Sequence, residues 1–147
     1  MKKTVFILIS ISLVAFSCCK SAKSAKNGRN MPLVGTQWNL THIESEDIMN
    51  EFALRPFLIF DSTRAIRGNL GCNTFFGEYQ LLRKNKVRIE YKGATKRLCQ
   101  KMDVEKKFIN ALKSDITRYE TDGNVLILFS DKKEVMRFTG VDLSEVE

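Results

Sequence analysis

The chain has 147 residues, 44% of them hydrophobic, with 24 basic and 17 acidic side chains giving a formal charge of +7. That length suits one compact domain behind a short leader. The charge does not mark a nucleic-acid binder: six basic residues precede position 33, and the other eighteen face all 17 acids, leaving the folded portion near +1.

Lys2 and Lys3 lead an apolar run from Val5 to Phe16, broken only by Ser10 and Ser12. This is the layout of a secretory signal peptide, and the run falls short of the roughly 20 residues that span a bilayer. Ala15-Phe16-Ser17-Cys18 is similar to a bacterial lipobox, with Ala15 where Leu is usual. Cys18 is therefore expected to be lipidated, with Cys19 as second choice. The alternative is an ordinary signal peptide followed by an incidental Cys pair. Three acyl chains exceed the two signals that stable anchoring takes. Residues 20–32, KSAKSAKNGRNMP, have no aromatic side chain and cannot bury a core, so they read as a tether. From Cys19 to Pro32 it reaches about 45 Å fully drawn, and its Lys20, Lys23, Lys26 and Arg29 suit anionic headgroups. The expected organisation is 1–17 signal peptide, 18–32 lipidated cysteine and basic tether, 33–147 folded domain. The expected location is the cell envelope, as an outer-membrane lipoprotein facing the periplasm.

The first predicted strand is 36–43, with Trp38, Leu40 and His42 on one face. Residues 44–56 are acidic and irregular. Residues 57–60 are continuously apolar, as in a strand covered on both sides; a turn at 61–64 leads into a strand at 65–68. A strand at 75–82 turns at 83–85 into 86–92, where Val87, Ile89 and Tyr91 face inward. Asp103 is placed as an N-cap and Glu105 in the first turn. Val104, Phe108, Leu112 and Ile116 mark the one helix, about 103–114. Strands at 117–121, 125–129 and 135–139 follow. Short strands with tight turns predict a mainly β domain: a small antiparallel barrel or strongly curved sheet with a single helix packed across it.

Cys72 and Cys99, in an oxidising compartment, most simply form one disulfide. A thiol-disulfide active protein using them is the competing reading, weakened by the lack of a C-x-x-C arrangement. Between Arg83 and Lys101 eight basic residues face the single acid Glu90. Arg83, Lys84, Lys86, Arg88 and Lys92 form a candidate patch for lipid phosphates or an acidic partner; the bland alternative is a solvated hairpin face.

Three segments, "LVGTQWNL" (33–40), "IRGNLGCNTFFGEYQL" (66–81) and "ATKRLCQKMDVEKKFINAL" (94–112), together resemble the META/HslJ family. The shared features are Gly35, Thr36 and Trp38; Gly71, Cys72, Asn73, Phe75, Gly77 and Tyr79; and Thr95 with Cys99. Arg97 and Leu98 depart from the Met or Ala common there. The resemblance implies a calycin-like small barrel, often on a bacterial lipoprotein, and in some members an association with envelope stress and drug tolerance. It implies no established catalytic activity. Gly68, Gly71 and Gly77 are expected to supply positive φ or a bulge, and Asn73 to cap backbone groups.

No enzyme signature emerges. His42 is the sole histidine, so a triad or a zinc site would have to use it; it reads as a partly buried structural residue. Glu44, Glu46 and Asp47 read as a solvated loop. No metal or other cofactor is expected, and no nucleic-acid partner. Trp38, Phe57, Ile59, Phe75, Tyr79, Leu81, Val87, Ile89, Phe108, Met136 and Phe138 are expected to fill the interior. The favoured function is binding or interaction at the envelope by a monomeric, lipid-anchored domain, with an envelope protein or lipid as partner. The alternative is a barrel that encloses a small apolar ligand or lipid.

Overall fold

The computed structural model describes residues 30–48, 54–99 and 102–141. It contains β1 (Gln37–Ile43), β2 (Glu46–Asp47), β3 (Phe57–Phe60), β4 (Ala65–Asn69), β5 (Thr74–Leu82), β6 (Lys86–Ala94), α1 (Asp103–Lys113), β7 (Arg118–Asp122), β8 (Val125–Ser130) and β9 (Lys133–Val141). The order β1-β3-β4-β5-β6-β7-β8-β9 returns to β1 through antiparallel pairing with β9, so the sheet curls into a ring. β2 shares the β3 edge of β1.

The ring is thinnest between β6 and β7, which share the single register pair Lys86↔Arg118. Backbone bonds from Val87 N to Thr117 O (3.1 Å) and Tyr119 N to Asn85 O (3.0 Å) flank it. Past that point β6 leaves β7, and α1 packs against β6 and the core. No described helix is long and apolar enough to cross a membrane.

Side chains fill the interior. Trp38, Leu58, Phe60, Phe108, Leu126, Leu128 and Phe138 are all fully buried. Phe108 carries the helix into the core, its ring 5.8 Å from Phe75 and 6.2 Å from Phe138. Phe60 meets Tyr79 edge-on at 4.9 Å.

Several expectations are corrected here. A bulge on β1 between Leu40 and His42 buries both Leu40 and Thr41 and turns His42 off the Trp38–Leu40 face. On β3 the core residues are Leu58 and Phe60; Ile59 is buried outside the core cluster and Phe57 only half-buried. A continuous apolar run carries no alternation to set its phase. Leu81, expected inside, is exposed. Glu46 and Asp47 form a short strand because Glu44 (φ 49°) and Ser45 (φ 75°) make a left-handed two-residue hairpin turn. Asp103 is the first helical residue; Met102 stands at the N-cap with no side-chain cap bond.

The fold also takes in residues assigned to the tether. Gly123 N donates to Asn30 Oδ1 (3.0 Å), Met31 N donates to Gly123 O (2.9 Å), and Thr36 Oγ1 donates to Pro32 O (2.6 Å). This entry lies beside the 123–124 turn, where Gly140 N also donates to Asn124 O (2.7 Å).

Candidate functional site

Two places carry the polar side chains of interest. The first is the corner between β4 and β5. Gly71 takes φ 106°, a conformation that favours glycine, and its N–H donates to Asn69 Oδ1 at 2.7 Å. Cys72 follows, with its Cα 6.4 Å from that of Cys99, within the span of a disulfide. Asn73 is 1% exposed. Its backbone N–H and its Nδ2 donate to the two carboxylate oxygens of Glu105 at 3.1 and 2.8 Å, and Nδ2 also donates to Arg97 O. Its Oδ1 accepts from Thr95 Oγ1 (2.8 Å) and Arg97 N (2.7 Å). One side chain therefore binds the corner, the 95–97 segment and the helix together.

Glu105 reaches this network because it lies on the same helix face as Phe108 and Leu112. A carboxylate on an apolar stripe was the available signal for a buried partner. A 380 Å³ cleft lies beside the corner, lined by Tyr91, Met102, Glu105 and Ile109 among others. Burial first, then the Glu105 charge, holds the Tyr91 hydroxyl above its usual pKa of 10.0.

The other family positions are structural in the same sense. Gly35 (φ 88°) donates its N–H to Phe60 O at 2.9 Å, and Trp38 Nε1 donates to Leu33 O at 3.0 Å. Gly68 and Gly77 do not adopt positive φ. They let strands approach closely: a Cβ on Gly68 would strike Phe57 O and the Phe75 ring, and one on Gly77 would strike Glu90 O. Gly77 also borders the bulge between β5 and β6. The Tyr79 hydroxyl donates to Asp61 O at 2.7 Å.

The second place is the β5–β6 hairpin, whose turn lies against the start of β7. Lys84 (φ 61°) and Asn85 (φ 55°) turn the chain, and Leu81 and Leu82 just before the turn are 44% and 51% exposed. Beside the hairpin is a cleft of about 840 Å³. Lys84, Lys86 and Arg88 line one wall; Arg118 and Lys132 line the other, where Asp115 and Asp131 also stand. The Arg118 guanidinium pairs with Glu120 and lies 3.8 Å from the centre of the Phe129 ring. Arg83, Lys84, Lys86, Arg88 and Lys132 form no ion pair with any described residue.

Lys92, grouped with this patch from the sequence, lies outside the cleft. It pairs with Glu90 (2.6 Å) and Glu78 (3.8 Å), and the Glu90 hydrogen bond keeps its pKa above the ordinary lysine value. Arg118 and Lys132, thirty residues and more down the chain, were not legible as cleft residues because the β6–β7 contact brings them in. His42 has Nδ1 3.0 Å from Thr41 Oγ1. Cys18 and Cys19 lie outside the described residues.

The META domain profile matches residues 31–142. The chain belongs to the META domain family. Two solved structures share the fold of this META domain. A Burkholderia xenovorans protein solved by NMR is 22% identical, with a TM-score of 0.57 over 74% of this chain and 83% of that one. A DUF4847 family protein from Bacteroides vulgatus, solved by crystallography, is 20% identical, with a TM-score of 0.52 over 73% and 93% of the two chains. No curated protein matches the chain.

Proposed function

We propose that the chain is a lipid-anchored envelope protein whose META domain is a non-enzymatic interaction module, working through the outside of the ring. The observation that carries this reading is the filled interior: large buried side chains occupy the space an enclosed ligand would need. The anchor rests on the signal-like N-terminus and Cys18. The setting proposed is envelope stress or drug tolerance.

Three measurements test it. Cys18→Ser should abolish incorporation of labelled palmitate and release the protein from the membrane fraction; retained label would move the anchor to Cys19, and an unlabelled parent chain would remove it. Native mass spectrometry of the purified chain should give the protein mass plus its anchor alone, and a stoichiometric extra lipid would favour the enclosed-ligand reading. Thiol titration without reductant should find Cys72 and Cys99 unreactive; free thiols of lowered pKa would favour a thiol-active protein.

A further inference from the structure

We infer that the β5–β6 hairpin tip is a second, reversible membrane contact that binds an anionic phospholipid surface. This rests on the proposed lipid anchor only for which membrane is nearby. The tip joins two features that seldom coincide on a soluble surface. Leu81 and Leu82 are large apolar side chains left 44% and 51% exposed. Arg83, Lys84 and Lys86 follow at once, unpaired with any described acid. Elsewhere on the same strands charge is neutralised locally, as where Lys92 meets Glu90 and Glu78.

Apolar side chains flanked by cations match the boundary between acyl chains and phosphate headgroups, where leucines enter the hydrocarbon and lysines meet phosphates. Arg88 and Lys132, on opposite walls of the adjoining cleft, place further charge beside the same headgroups. A folded acidic protein would also suit the cations, but it would give exposed leucines at a turn tip no reason to stand beside them.

The experiment uses the purified full chain carrying Leu82→Trp as reporter, with Leu81→Trp as a second site; Trp38, fully buried, gives a constant background. The protein is mixed with phosphatidylcholine vesicles, with and without phosphatidylglycerol, brominated on their acyl chains. The expected result is reporter quenching only on the phosphatidylglycerol vesicles. Gln at Lys84, Lys86 and Arg88 should weaken it by about fivefold per residue. Vesicle flotation separates the two claims. Flotation on both compositions without reporter quenching keeps the anchor and overturns the hairpin contact. Flotation and quenching on phosphatidylglycerol alone supports the hairpin and overturns the anchor. No flotation on either overturns both. A reporter shift with polyglutamate in place of vesicles, and none with them, would assign the tip to an acidic protein and overturn the lipid assignment.

Discussion

Two glycines of the family pattern separate the ways in which a missing side chain can matter. A methyl on Gly68 would strike backbone from β3, whereas one on Gly35 meets nothing within 4 Å and faces only an unfavourable φ of 88°. Gly68→Ala should cost about 3 kcal/mol or more, at the upper end of overpacking, and Gly35→Ala about 1–2 kcal/mol; paired urea titrations would rank them. Asn73→Ala should be worse than either conformational change alone suggests, because it leaves the buried Glu105 carboxylate with the backbone N–H alone and strips Arg97 N and Thr95 Oγ1 of their acceptor. We expect about 3 kcal/mol, against about 1–2 kcal/mol for Thr95→Val, which removes the bond to Asn73 Oδ1 and the one accepted from Thr74 N. Tyr91 gives part of the pH dependence, beside Tyr79, whose hydroxyl burial also holds above its usual value. The Tyr91 proton is held more tightly in the folded state, by burial and then by Glu105. That contribution is complete below the unfolded pKa of 10.0 and is lost as pH rises through the folded value. The urea midpoint should fall between neutral pH and about pH 11, and Tyr91→Phe should remove part of that fall.

At the scale of elements, the helix acts as the closure of a ring whose ladder is nearly broken at one seam. Phe108→Ala should cost about 3–5 kcal/mol and open an apolar void that takes up a small aromatic probe, detectable by a thermal shift on adding benzene. Hydrogen exchange should be fastest among the β6 amides turned away from β5, where β7 is no longer there to pair with them. The sequence made the elements legible where their pattern was strong: the alternation of β6 and the four-residue apolar stripe of α1 both stand close to where they were read. It was silent where geometry rather than composition decides. The Thr41 bulge reverses a face without altering the residue pattern, and the 57–60 run has no polar residue to set its phase. Glu46 and Asp47 pair only because a left-handed turn aligns them. The candidate cleft was half legible: its hairpin wall is a run of basic residues, while its Arg118 and Lys132 wall depends on a contact between strands distant in sequence.

For the whole molecule, the β5–β6 hairpin is closed at its base by the Cys72–Cys99 approach and by the bonds from Asn73 to the 95–97 segment. Closing a loop of that size is worth about 3.5 kcal/mol in the chain-entropy account. Cys72→Ala with Cys99→Ala should lower stability by about that amount while leaving the ring intact by circular dichroism, since most of the ladder lies outside the loop. The N-terminal strand has a mechanical consequence of another kind. A pull on the chain ahead of Asn30 acts along β1, which bonds to β9 along its length and to β3 over Gln37–Asn39. Load in that direction shears both ladders at once instead of peeling rungs one after another. Single-molecule extension from the N-terminus should therefore meet a higher rupture force than extension through the β7–β8 turn.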